Sequence, residues 1–280
     1  LLNNFKNLFK ITLIGSGDTL GTPVYGSKQA SDRDPKSKRF RFGVLIECAG
    51  KKILIDANPD LKWQCLNSKF ELKGIDYILL THSHSDHING LGEFFYRRIL
   101  PTECFHLNDP LTLGHIDYWR YLEKEKVISF REFEMSSEFY LSPEIKVKSV
   151  EMNHGFPCSG FVIEAEGKRV AIITDSNADL AKESIEALMG CNVALIDSFS
   201  ENFEQVEQLY RDVGEKPPSD VRPGWFHMTI EESMELSQRI NAGKAVSVHM
   251  SRYMAPHDEL VAKYQTGKFL IGYDGLEIEL

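Results

Sequence analysis

Short, nearly continuous apolar runs recur along the chain, and most stop at a glycine turn or at a histidine or aspartate. Runs of this length read as buried strands rather than amphipathic helices. The pattern predicts strands over residues 10–14, 42–48, 51–55, 75–80, 127–133, 145–152, 159–165, 168–174, 193–196 and 245–248, with two short strands closing the chain. Two pairs are hairpins, turning at Ala49-Gly50 and Glu166-Gly167. Helices are expected over residues 88–99, 180–189 and 256–264, and in the segment opened by Pro59. Another starts at Thr229, where Glu232 has the spacing of a capping box. Residues 26–39 and 201–224 are polar and charged and read as surface loops, the second carrying Pro217-Pro218. Residues 101–125 mix polar and aromatic side chains and predict no element. Both halves follow one plan: hairpins, a carboxylate at a strand end, then helices, with histidines at other strand ends. There is no linker and no strong internal repeat. The expected fold class is therefore α/β, a four-layer αβ/βα sandwich of two mixed β-sheets, built as a single domain over residues 1–280.

The formal net charge of -9 argues against non-specific binding to a nucleic-acid backbone, so no extended nucleic-acid surface is expected. It does not exclude a small phosphate substrate, because divalent ions would make a pocket locally positive. Five cysteines (Cys48, Cys65, Cys104, Cys158 and Cys191) are scattered without a C-x-x-C pair, and no signal peptide is visible. That favours reduced thiols and a cytoplasmic location. The first ten residues are too short and too interrupted to span a membrane.

The chemistry concentrates in Thr81-His82-Ser83-His84-Ser85-Asp86-His87, directly after the apolar run at 75–80. His82 and His84 are two apart, so in extended backbone both can reach one ion. Asp86 and His87 fall where a helix begins and can serve a second ion. The alternative, a solvated histidine-rich turn, does not account for four ligand-type side chains against a buried strand. Other strands also end in such residues: Asp56, His154, Asp175 and His249. Asp56 either orients a ligand histidine or caps the helix after Pro59. His227 lies just before a helix N-terminus, where anions bind readily. Arg39 and Arg41 alternate with Phe40 and Phe42 and share a face, either touching a substrate phosphate or facing solvent. The Gly15 to Pro23 loop meets neither the P-loop nor the dinucleotide fingerprint. It is a turn under the site or a substrate contact. His106 and His115 are isolated and read as structural.

The T-H-x-H-x-D-H run, with the strand-end residues in this order, resembles the metallo-β-lactamase superfamily over nearly the whole chain. The closer match is its phosphodiesterase branch, which includes ribonuclease Z and the phosphoribosyl cyclic phosphate phosphodiesterase. The opening Gly15-Ser16-Gly17-Asp18-Thr19-Leu20-Gly21-Thr22-Pro23 is similar to that branch's first loop. Asp175 stands where classical β-lactamases carry a cysteine, and Phe226-His227-Met228-Thr229 resembles an extra histidine motif. The resemblance implies two divalent ions, zinc or manganese, in a cleft between the halves. It implies that His82, His84 and His154 hold one, that Asp86, His87 and His249 hold the other, and that Asp175 bridges them. Asp56, Asp86 and His227 would be the catalytic residues, with His227 also binding substrate, and a bridging hydroxide would cleave a cyclic phosphate or nucleotide-type phosphodiester. Alternatives are a tRNA 3′-processing nuclease and an ester or thioester hydrolase on the same metals. Three departures bear on these. Residues 26–31 lack the cysteines of a structural zinc site, Asn58 stands where the first motif usually has glycine, and no Gly- and Pro-rich arm for tRNA is visible. The branch commonly forms dimers, so a homodimer is a possible assembly.

Overall fold

Val193-Ala194-Leu195-Ile196 is buried on both faces, as expected of a strand with another layer on each side. That pattern extends through a computed structural model, which describes residues 9–25, 33–96, 101–212, 214, 216 and 225–280. In chain order the first half supplies β1 (Lys10–Gly15), β2 (Gly43–Cys48), β3 (Lys51–Ile55), α1 (Leu61–Ser68), β4 (Tyr77–Leu79), α2 (Ser85–Ile88), β5 (Thr102–Leu107), α3 (Pro110–Trp119), α4 (Tyr121–Lys124) and β6 (Ile128–Phe133). The second half supplies β7 (Glu138–Ser142), β8 (Ile145–Glu151), β9 (Ser159–Ala165), β10 (Lys168–Ile173), α5 (Lys182–Leu188), β11 (Val193–Asp197), α6 (Phe203–Asp212), α7 (Ile230–Arg239), β12 (Lys244–Val248), α8 (His257–Tyr264), β13 (Phe269–Ile271) and β14 (Leu276–Glu279).

The strands form two seven-stranded mixed sheets, ordered β14-β1-β2-β3-β4-β5-β6 and β13-β12-β11-β10-β9-β8-β7. In the first, β14 to β3 pair antiparallel and β3 to β6 parallel. The second repeats this, antiparallel from β7 to β10 and parallel from β10 to β13. Between the sheets lies one apolar layer, with Ile46, Ile55 and Leu79 from one side and Phe161, Ile172 and Leu195 from the other. Each such side chain contributes about 1.5–3 kcal/mol by leaving water. The outer face of the first sheet packs under α1 to α4 through Leu61, Ile88, Ile116 and Leu122. That of the second packs under α5, α7 and α8 through Ile185, Ile230 and Leu260. The expected α/β sandwich of two mixed sheets with flanking helices is therefore the observed one.

Local differences have physical causes. The helix expected over 88–99 is instead the single turn α2, followed by a 3-10 segment, Leu91–Tyr96; residues 97–100 lie outside those described. Gly90 sets the break. Its N–H donates to Ala57 O at 2.7 Å, and a Cβ there would lie 2.0 Å from Asn58 O. The backbone approaches too closely for a regular helix to continue. Residues 101–125, which predicted no element, hold β5, α3 and α4. Asp109 caps α3 through bonds to Leu111 N and Thr112 N, with Pro110 as its first residue. Within 201–224, residues 203–212 form α6, whose Val206 packs with Phe199 and Trp225. Pro217-Pro218, like the cysteine-free stretch at 26–31, lies outside the described residues. Cys48, Cys104, Cys158 and Cys191 are free and buried. No described helix is long and apolar enough to cross a membrane.

Candidate metal centre

The carboxyl ends of β3, β4, β8, β10, β11 and β12 open on one cleft between the sheets, the usual place for a site in such folds. They present Asp56, His82, His84, His154, Asp175, Asp197 and His249, while α2 adds Asp86 and His87. Asp56, Asp175 and His249 have φ of 60°, 52° and 57°. Non-glycine residues in this left-handed region carry strain that the surroundings must hold. Here three such residues stand where a strand turns away from its ladder and leaves the side chain in the cleft.

Two groups of donor atoms converge. In the first, His82 Nε2 is 2.9 Å and His154 Nε2 3.4 Å from His84 Nδ1. Burial pushes all three imidazoles below their ordinary pKa, which keeps them neutral with lone pairs available. The outer nitrogens of two of them have partners: His82 Nδ1 lies 3.1 Å from Thr81 Oγ1, and His154 Nδ1 3.3 Å from Phe226 O. A donor on the outer nitrogen leaves the inner one free to ligate. Gly155, with φ 69°, permits that contact, since a Cβ would meet the Phe226 ring at 2.4 Å.

The second group is Asp86, His87 and His249. His87 Nε2 lies 3.2 Å from Asp86 Oδ2 and 3.3 Å from Asp175 Oδ2, and His249 Nε2 3.4 Å from Asp175 Oδ1. His154 Nε2, of the first group, is 3.6 Å from the same Asp175 oxygen. One carboxylate therefore faces both groups. Burial works to raise Asp175, but His249 and His87 outweigh it and hold the carboxyl well below its usual range. His87 is likewise lowered by burial, yet raised overall by Asp175, Asp86 and Asp56.

The residues present fit divalent ions. His87 Nε2 and both ring nitrogens of His249 are buried and make no aligned hydrogen bond, although Asp86 and Asp175 oxygens lie 3.2–3.4 Å from the two Nε2 atoms, an arrangement that is costly unless something else satisfies them. Asp56, fully buried, accepts from Thr81 N at 2.8 Å and lies 2.7 Å from His87 Nδ1, so it orients His87. It caps no helix: the N-cap residue of α1 is Asp60.

His227 adjoins the cluster. It stacks on His249 at 4.9 Å, and its Nδ1 is 2.7 Å from Asp197 Oδ2. The capping box of Thr229 and Glu232 fixes the start of α7 immediately after it. Burial pushes Asp197 up to about 8 and His227 down from its ordinary value. Asp197 directly follows the strand predicted over 193–196, yet it has no role among the sequence-based expectations. The signal was there, since it follows an apolar run just as Asp56 and Asp175 do.

The remaining predicted residues go elsewhere. Arg39 is buried and donates to Ser16 Oγ and Gly272 O, and Arg41 pairs with Asp60 at 2.8 Å and donates to Thr19 O. Both guanidiniums are engaged by partners within the fold. The loop after β1 braces the site from below: Asp18 N donates to Met250 O, and Met250 N to Ser16 O. His106 is buried with Nδ1 on Leu107 O, and His115 lies 2.8 Å from Ser83 Oγ. Neither belongs to a ligand group.

The family "Beta-lactamase superfamily domain" matches residues 51–250, a span that runs from just before Asp56 to just after His249. The chain belongs to the β-lactamase superfamily. Among curated relatives, the octanoyltransferase of Porphyromonas gingivalis is 29% identical over 281 residues, covering 95% of this chain and 50% of that protein. Ribonuclease Z of Bacteroides fragilis is 22% identical over 176 residues, covering 60% of this chain and 53% of that protein. The chain thus spans about half the length of these two relatives. Among solved structures, a diphosphatase of the PhnP family superposes with a TM-score of 0.79 at 22% identity, over 98% of this chain and 97% of that one. That likeness gives the same metallo-β-lactamase fold.

Proposed function

We propose that this metallo-β-lactamase-fold hydrolase is a phosphodiesterase using two divalent ions, zinc or manganese, on a cyclic phosphate or nucleotide-type diester. The observation that carries the reading is Asp175, a single carboxylate facing both donor groups, with the His227–Asp197 dyad beside it. The ribonuclease Z relative and the diphosphatase neighbour support phosphoryl chemistry. His82, His84 and His154 would hold one ion, and Asp86, His87 and His249 the other, with Asp175 shared. When bound, such a pair supplies a hydroxide at neutral pH and stabilises charge on phosphoryl oxygens. The imidazole and carboxylate donors suit zinc and manganese alike.

The protein's own groups do the rest. Asp56 holds His87 at Nδ1, and Thr81 holds Asp56 and His82, so the two ligand-bearing segments, the His82–His84 turn and α2, are tied together through Asp56. His227 would donate the Nε2 proton to the departing alkoxide while Asp197 stabilises the ring through Nδ1. The test is a panel of bis(p-nitrophenyl) phosphate, p-nitrophenyl phosphate and an acyl thioester, given to metal-stripped protein reloaded with Zn²⁺ or Mn²⁺. Selective turnover of the diester is expected; selective turnover of the thioester would replace this reading. That second reading has one observation in its favour, the name octanoyltransferase on a relative that spans 95% of this chain.

A further inference from the structure

The cleft continues beyond the donor groups. Between the carboxyl ends of β5 and β6 in one sheet and β8 in the other lies a groove of about 480 Å³, which reaches His154 and Phe156. Its size falls within the range of small-molecule sites. Its floor is core: Leu107, Met152 and Cys158 are almost fully buried. One end is aromatic, with the half-buried Phe156 ring 4.4 Å from the His84 ring. The walls carry Asp109, Glu134 and Glu151, and no lysine or arginine is among the described lining residues.

Two features of these walls point to a kind of ligand. Asp109 uses Oδ1 to cap α3, and its Oδ2 is buried. The exposed carboxylates of Glu134 and Glu151 on the groove wall are acceptors and match an incoming N–H donor. The carboxylates also oppose any second phosphate lying along the groove, because like charges repel there. A flat apolar ring on Phe156 and Met152, with amino groups toward Glu134 and Glu151, satisfies both.

We infer that this groove seats the organic half of the substrate, a planar amino-bearing group such as an adenine nucleoside, and excludes a second phosphate. The inference rests on the phosphodiesterase reading above, with the scissile phosphate at the donor groups. It names the substrate class: a nucleoside-type diester with one phosphate, in preference to a polyphosphate or an RNA backbone.

The test follows the [¹³C]methyl signals of Met135 and Met152, both in the groove, in zinc-loaded protein titrated with AMP, inosine monophosphate, ADP and methyl phosphate. AMP is expected to shift both methyls and to bind about tenfold tighter than methyl phosphate, the size of one base-on-aromatic stack. Inosine monophosphate, which lacks the amino group, should bind more weakly than AMP, and ADP no tighter. Phe156→Ala should abolish the advantage over methyl phosphate, and Glu134→Lys with Glu151→Lys should turn the preference toward ADP. Unshifted methyls, equal affinity for AMP and methyl phosphate, or a preference for ADP in the natural chain would overturn the inference. So would tighter binding of octanoate than of AMP at these methyls. Hydrolysis of methyl p-nitrophenyl phosphate separates the two readings. If that diester survives while AMP still shifts the methyls, the phosphodiesterase reading fails and the groove assignment stands. If the diester is cleaved and the methyls stay unshifted, the groove assignment fails and the phosphodiesterase reading stands.

Discussion

Asp197→Asn isolates proton donation from metal binding. Asp197 Oδ2 lies 2.7 Å from His227 Nδ1 and accepts from Ser176 N at 3.3 Å, whereas Oδ1 has no partner. An asparagine would therefore turn its carbonyl oxygen toward both donors and its NH₂ toward the empty side. The ring stays in place with Nδ1 protonated, but the charge that supports an imidazolium is gone. Neutral His227 then presents a bare Nε2 and cannot protonate a leaving group. General acids contribute about 10²–10⁴-fold, so a diester with a poor alkoxide leaving group should lose at least about 10²-fold in kcat, near 2.7 kcal/mol. A p-nitrophenolate departs without a proton, and its diester should lose only a few-fold. The assay compares kcat for these two diesters, with metal content measured in parallel. His227→Ala should show the same split. An equal loss on both substrates, or loss of bound metal, would show that the pair supports structure and not proton transfer.

Four further outcomes are expected. Asp175→Ala removes the carboxylate facing both donor groups and should lower metal content and diester turnover together; two ions retained at full occupancy would remove Asp175 from the centre. Asp56→Ala frees His87 Nδ1 and should weaken binding of one ion by about 10–100-fold, read by competition with a chelator, and unchanged affinity would contradict the orienting role. His257 is pushed down by burial to about 4 from an ordinary 6.5. The folded chain thus binds fewer protons than the unfolded one in that window, so this stability is present above pH 6.5 and is lost as pH falls through about 4. Urea titrations at both ends should show a loss of roughly 1–2 kcal/mol, discounted for solvent near the ring, that His257→Phe removes; an unaltered slope would exclude this histidine as the source. Gly90→Ala forces a Cβ to within 2.0 Å of Asn58 O and should cost about 1–3 kcal/mol in urea denaturation. Full stability would show that the α2 turn yields easily.

Most strands, and the residues at their ends, were legible because each signal is local; β5 and β7 were not. An apolar run that stops at a histidine or aspartate marks both the strand and the side chain at its end, as with Leu80 before Thr81-His82 or Ile173 before Thr174-Asp175. What escaped depends on contacts between distant segments. Residues 88–99 have an apolar content compatible with a helix, but the approach of Gly90 to Ala57 and Asn58 stops it after one turn. Arg39 and Arg41 alternate with phenylalanines as strand residues do, yet Ser16, Gly272, Thr19 and Asp60 hold their guanidiniums, and only the folded chain brings these together. The pairing of Asp197 with His227 spans two elements thirty residues apart and has no local trace. By contrast, Asp109-Pro110 was a readable helix start whose cap and first-turn proline mark α3.

The most direct test is a titration of metal-stripped protein with Zn²⁺, reading bound metal and bis(p-nitrophenyl) phosphate turnover on the same samples. With Asp175 shared between two donor groups, activity should stay low until the second equivalent is bound and reach its plateau at two per chain. Full activity at one equivalent, or two ions bound without any diester turnover, would contradict a dinuclear phosphodiesterase.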